Sequence, residues 1–201
     1  MLPSVTEQPR QGLRERKKAK TRAAIQASAL ALFERQGYQA TTVDQIAAMA
    51  EVSQSTFFRY FPTKEDVVLH DRYDPLLLAN FLAQPPDLTP IAALRRTLRS
   101  VLGALPADEL AQERQRAMLI ISVPELRARA LDQLAAALAP FTEAVAERTG
   151  RSVDDSAVRA LTGAVMGVLM AAMLAASEDP DANYLELMDT ALAHLEAGLR
   201  I

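Results

Sequence analysis

The sequence predicts an all-α protein of about nine helices, and three observations carry that expectation. Apolar residues recur at spacings of three and four along most of the chain, the period of a helix with one buried face. Alanine and leucine, both good helix formers, dominate a chain that is 50% hydrophobic but only 5% aromatic, without tryptophan. There are seven glycines, and no run alternates apolar with polar residues as a half-buried strand would. A length of 201 residues leaves room for a small head and a larger body.

Residues 1–13 hold two prolines and few apolar groups, so they are expected to form a disordered arm. The run Arg14-Glu15-Arg16-Lys17-Lys18-Ala19-Lys20-Thr21-Arg22 opens the first long helix, along which Ile25, Ala29, Leu32 and Phe33 repeat at helical spacing. Gly37 ends it. Thr42 is placed to cap a short helix from about Val43 to Ala50, with Ile46 and Ala47 on its inner side. After a joint at Glu51 and Val52, Ser53 caps another, on which Phe57 and Phe61 lie four apart and share a face. Pro62 stops this helix by disfavouring helical dihedrals at the residue before it. The expected core of the head is Ile25, Ala29, Phe33, Ile46, Val52, Phe57 and Phe61.

The outer face of the segment capped by Ser53 carries Gln54, Ser55, Thr56, Arg59 and Tyr60. These side chains are able to hydrogen-bond base edges or phosphate oxygens in a major groove about 12 Å wide. Two short helices joined tightly, the second polar outside, form a helix-turn-helix. Arg16, Lys17, Lys18 and Lys20 are expected to hold phosphates, Lys64 to reach another, and the arm to enter a minor groove. The net charge of −3 is unevenly placed: residues 1–65 hold 10 Lys+Arg against 6 Asp+Glu, and residues 66–201 hold 12 against 19. No lysine follows Lys64. The attractive field for a polyanion therefore lies at one end of the chain.

Thr42, Ile46, Ala47, Ala50, Val52, Ser53, Thr56, Tyr60, Phe61 and Lys64 together resemble the signature of the TetR family of one-component transcriptional regulators. The resemblance implies a three-helix DNA-binding domain over residues 14–63, with Thr42 among the DNA contacts, and an effector-binding and dimerisation domain over residues 64–201. Two positions depart from the pattern. The family's turn glycine is Glu51, which costs about 1–2 kcal/mol if φ is positive there. The family's phosphate-contacting tyrosine is Phe58, which keeps the ring without the hydroxyl. The string TFFRYFPTKEDVV is also similar to regulators found near mycofactocin gene clusters, for which acyl-CoA-type effectors are implied.

In the body, one helix is expected from Lys64 to about Phe81, kinked or broken at Asp74-Pro75. Thr89 caps the next, with Pro90 in its first turn and Leu94, Leu98, Val101, Leu102 and Leu105 on its buried face. Asp108 starts a helix broken at Val123-Pro124, and the following one runs to about Arg148 with a kink at Pro140. Ser152 with Asp155 resembles a capping box for a long helix to about Ser177. Its run from Ala164 to Ala176 is uninterruptedly apolar but short of the roughly 20 residues of a bilayer span, so it reads as a helix buried on all sides. Gly163 and Gly167 mark a stripe where another helix can approach closely. A last helix carries Tyr184, Leu187, Met188, Ala191, Leu192, Leu195 and Leu199 on one stripe.

The TetR resemblance implies that Gly163, Gly167, Tyr184, Met188, Leu192 and Leu195 pair with a second copy in a four-helix bundle. Two-fold symmetry would then set the two reading helices about 34–36 Å apart, one turn of duplex. Met118, Ile121, Met166, Met170 and Met173 are the candidate effector contacts, since methionine adapts to varied apolar shapes. Ordinary core packing explains them equally well.

Without cysteine, disulfides, thiolate metal sites and cysteine nucleophiles are excluded. His70 and His194 are far apart in sequence, no metal-ligand spacing or phosphate-binding glycine loop occurs, and no catalytic set or cofactor is expected. The first residues lack the apolar core of a signal peptide, which favours a cytoplasmic protein. The expected function is a DNA-binding regulator, a repressor released by a small lipophilic effector and not associated with membranes. The rival is a helical ligand carrier or partner-binding module that has lost operator binding, consistent with Glu51 and Phe58.

Overall fold

A computed structural model describes residues 12–179 and 182–199. Among these are ten α-helices, grouped in two compact units that meet in sequence between Val68 and Leu69. Most of the expected arm, residues 1–11, lies outside the described residues.

The first unit contains α1 (Leu13–Gln36), α2 (Val43–Met49), α3 (Gln54–Tyr60) and most of α4 (Lys64–Leu69). Its core is Ile25, Ala29 and Phe33 of α1, Ile46 of α2, Phe57 of α3 and Phe61 just after α3, all buried. The Phe57 and Phe61 rings lie 6.1 Å apart, as their four-residue spacing requires. Val52, expected in this core, is only half-buried because it sits just past the turn that ends α2. Gln26, buried on α1, donates from Nε2 to the Val67 carbonyl at 3.0 Å, and Val67 and Val68 are fully buried. That bond explains why the contacts place α4 up to Val68 with the head, whereas the sequence reading drew the boundary after residue 63.

The turn between α2 and α3 is set by local hydrogen bonds. Thr42 caps α2, accepting from the Gln45 amide, while the Gln45 side chain accepts from the Thr42 amide at 2.9 Å. At the other end Val52 N–H donates to Ala47 and Glu51 N–H to Ala48, the paired closure that needs a left-handed residue after the cap. Glu51 supplies it with φ of 55°. A side chain there is strained by about 1 kcal/mol or more. Glu51→Gly is therefore expected to stabilise the head by roughly 0.5–1 kcal/mol, the lost strain outweighing the extra freedom of glycine in the unfolded chain. Chemical denaturation of the two proteins measures this directly; a less stable glycine variant would contradict it.

The second unit holds α5 (Asp74–Leu82), α6 (Pro90–Val101), α7 (Ala107–Ser122), α8 (Pro124–Thr149), α9 (Ser156–Glu178) and α10 (Tyr184–Glu196). The tenth helix arises because the single helix expected over Lys64 to Phe81 is two. Residues 70–73 are non-helical, with Asp71 Oδ1 accepting the Tyr73 amide at 2.8 Å. Pro75 then sits in the first turn of α5, where no amide is needed, so it opens a helix instead of kinking one. Thr89 caps α6 by accepting from the Ala92 amide, as read from sequence. The cap of α9 is Asp155 alone, accepting from Ala157 at 2.8 Å; Ser152 lies outside the helix and accepts from Asp154.

Phe81, Leu94, Leu98, Val145, Val165 and Leu192 form the centre of this unit's core. Arg95 fastens α6 to α10 through Asp189 at 3.0 Å and Glu196 at 2.7 Å. Arg148 donates to the carbonyls of Gln84, Pro85 and Leu88 and so holds the loop between α5 and α6. Helix α8 runs on through Pro140, whose missing N–H leaves a gap in its hydrogen-bond ladder.

The expectation that α9 is buried on all sides fails. Val158, Thr162, Val165, Ala172 and Ala176 face inward, but Ala160, Gly163, Gly167, Ala171 and Leu174 form an exposed stripe. Ser156–Ala176 is the one helix among the described residues long and apolar enough to cross a membrane, a test that the core helix of a bundle also passes.

Candidate nucleic-acid interface and ligand cavity

Helix α3 is held from beneath and free above. Phe57 has no exposed surface, and Phe61 continues the anchor into the loop. Ser53 fixes the first turn by accepting from the Thr56 amide at 3.1 Å. What remains outward is the expected set: Gln54, Ser55 and Arg59 exposed, Thr56 and Tyr60 half-exposed. Phe58 is also out, 46% exposed and edge-on to Phe57 with centroids 5.4 Å apart. Thr42 is exposed at the N-terminus of α2.

Three details of this face were not legible in the sequence. Gln54 Nε2 donates to Asp44 Oδ1 at 2.7 Å. A carboxylate only accepts, so the Gln54 amide nitrogen faces it and Oε1 keeps its acceptor capacity. Two guanidiniums lie over the Tyr60 ring, Arg22 at 5.8 Å and Arg59 at 5.5 Å from its centroid. This holds two cations at the edge of α3. The third concerns Lys64: its ammonium is bonded to the Tyr38 and Thr41 carbonyls at 2.9 and 3.1 Å and rests 4.1 Å from the Tyr38 ring centroid. The sequence reading gave it to a phosphate; the structure spends at least two of its three donors on closing the loop between α1 and α2.

On α1, Arg16, Lys17, Lys18 and Lys20 are all exposed. Lys18 pairs with Glu15 at 3.0 Å, an exposed contact worth only a few tenths of a kcal/mol.

In the second unit, α5, α6, α8 and α9 line an open-sided cavity of about 460 Å³. Leu77, Leu78, Phe81, Leu94, Phe141 and Met166 give it an apolar wall. Its volume is in the range of small-molecule sites, about 300–1,000 Å³. Met166 is the one expected effector contact among its lining residues. Met118 and Ile121 belong to α7, which contributes nothing to the wall, and Met170 and Met173 lie further along α9. The dimer set is revised in the same way: Met188 and Leu192 are buried inside the chain and Leu195 packs on the same core, whereas Gly163 and Gly167 are exposed. The Tyr184 side chain lies outside the described residues.

Asp74 is the cavity's acidic wall residue. Desolvation and, next, the charge of Asp71 push its carboxyl up to about 6, against the opposing pull of Arg116. The folded protein therefore binds this proton more readily than the unfolded chain, and stability falls as pH rises between about 4 and 6. Asp74→Asn is expected to be more stable than the parent at pH 7.5, by on the order of 1 kcal/mol after allowing for solvent screening, and not at pH 4. Thermal melts at the two pH values test the sign.

The geometry agrees with comparisons to known proteins. Residues 25–70 match the model for bacterial regulatory proteins of the tetR family, and residues 88–200 match the MftR C-terminal domain. TcmR of Streptomyces glaucescens, an HTH-type transcriptional regulator, is 36% identical over 151 residues, covering 72% of this chain and 67% of its own. MftR of Mycobacterium tuberculosis, a proposed mycofactocin biosynthesis transcriptional regulator, is 27% identical across 92% of this chain and 93% of its own.

Two solved structures share the fold. NalD of Pseudomonas aeruginosa, the secondary repressor of a multidrug efflux pump, superposes with TM-score 0.62 at 20% identity, over 90% of this chain and 97% of its own. FadR of Thermus thermophilus, a repressor in complex with lauroyl-CoA, gives 0.52 at 24%, over 90% and 95%. A helix-turn-helix with a polar, outward α3, followed by a helical body that lines an open-sided cavity, is thus joined to a family match at both ends of the sequence: the chain belongs to the TetR family of transcriptional regulators, with a body of the MftR C-terminal type.

Proposed function

We propose that the protein is a repressor that binds its operator as a homodimer and lets go when a small apolar or amphipathic effector fills the body. The observation that carries the DNA half is α3, anchored by Phe57 and Phe61 with Gln54, Ser55, Thr56 and Arg59 turned outward. In this reading Gln54 and Thr56 read base edges, Phe58 and Tyr60 pack against the backbone, and Thr42 with the α1 cations holds phosphates. The exposed stripe of α9 supports pairing of two copies, since small residues let a second helix approach closely. The cavity supports the effector half. The lauroyl-CoA in the FadR neighbour is an example of an amphipathic effector. An effector acts only through its difference in affinity for the DNA-competent and released states. Such a protein works in the cytoplasm, where the chromosome is.

The test is a gel shift with DNA from upstream of the protein's own gene, with light scattering on the free protein. A dimer and a salt-dependent, sequence-selective shift are expected. A monomer that ignores duplex DNA at low ionic strength would leave the carrier reading in its place.

A further inference from the structure

The cavity lining carries charge of one sign. Among its lining residues Asp74 carries the one ionisable side chain; the others present alkyl, aromatic or proline surface. Around it, Asp71, Glu109 and Glu113 add carboxylates, and Arg72 and Arg116 are the guanidiniums that face them. Arg116 is bonded to Asp71 and, at 2.8 Å, to Glu113; Arg72 is bonded to Glu109 at 3.0 Å, with Nε 3.7 Å from Glu113. Tyr73 also donates to Glu109, at 2.6 Å. Among the described residues no ion pair or hydrogen bond reaches the Asp74 carboxylate. Four carboxylates therefore share two guanidiniums, and the one with no direct partner is the one in the cavity wall.

Asp74 is solvent-exposed at the edge of this space, so an anion seated with its head there meets like charge, whereas a cation or a donor finds an open acceptor. We propose that the natural effector is an apolar molecule bearing a protonated amine, seated with the amine on Asp74 and its hydrocarbon between α5, α6, α8 and α9. The proposal rests on the reading of this cavity as the effector site and narrows it. It places fatty-acid and acyl-CoA anions among the molecules discriminated against, and makes Asp74 the residue that discriminates.

Calorimetric titration of the full chain with dodecylamine, dodecanol and dodecanoate, each below its aggregation threshold, separates the alternatives. Dodecylamine is expected to bind about tenfold more tightly than dodecanoate, the scale of one charge-assisted hydrogen bond in a partly desolvated site. In Asp74→Asn, whose fold is checked by its melting curve, that preference should vanish while dodecanol binds as before. If dodecanoate or lauroyl-CoA binds as tightly as the amine, or if the preference survives in Asp74→Asn, the charge selection is wrong and the cavity assignment stands. If none of the three chains binds, dodecanol included, the cavity assignment itself falls.

Discussion

Phe57→Ala is expected to unfold the head and abolish operator binding while the body keeps its helices and its cavity. Phenylalanine-to-alanine changes at fully buried sites cost about 3–5 kcal/mol. Phe57 is such a site, in van der Waals range of Phe58 and Phe61 rings and beneath the whole of α3. A unit of this size seldom has more than about 3–5 kcal/mol to lose. The two compact units divide near Val68, so the loss should stay local. Circular dichroism should show a drop in helix content confined to the share of α1 to α4, hydrogen exchange should lose protection there and not in α5 to α10, and dodecanol binding should survive. An intact gel shift by this variant would mean that the α3 anchor is not what presents the reading face.

Changing Arg16, Lys17, Lys18 and Lys20 together to glutamine is expected to weaken binding to every duplex and to flatten its salt dependence. Each phosphate contact contributes about 0.9 to the slope of log K against log salt, and a dimer would lose the set twice. Gln54→Ala and Thr56→Ala should behave differently, costing about 1–3 kcal/mol on the preferred site and little elsewhere. Affinities for operator and random duplex at three salt concentrations distinguish the classes. Identical behaviour of both would overturn the division between residues that grip and residues that read.

The head was legible because its signals are local. A cap at Thr42 or Ser53, a phenylalanine pair four apart and a terminating proline each act within one or two turns, and the structure repeats them. Glu51 was legible through the TetR resemblance, which puts the family's turn glycine at that position, and its φ is 55°. Contacts between residues distant in sequence were not. Gln54 meets Asp44 across ten residues, and Lys64 meets Tyr38 across twenty-six, with nothing periodic to announce either.

The body misled for a different reason. Apolar character in α9 and α10 says that a residue wants cover, not which neighbour provides it. Met188 and Leu192 are covered by the chain's own core, while Gly163 and Gly167 are exposed. The methionines marked a greasy region, but the cavity wall is built mainly from leucine, phenylalanine and proline on α5, α6 and α8. Asp74 looked like a helix breaker beside Pro75, and only the fold turns it toward the cavity.

The clasp of Lys64 on two carbonyls has a practical outcome. With that amine occupied and none beyond it in sequence, the side-chain amines open to reagents are the three on α1. Acylating reagents will thus test occupancy of α1 by nucleic acid as a footprint, and the same modification inside a bacterium would erase positive charge from α1. Two bodies pressed together would remain invisible to amine-directed cross-linkers, so their association has to be caught by carboxyl-directed chemistry or by mass.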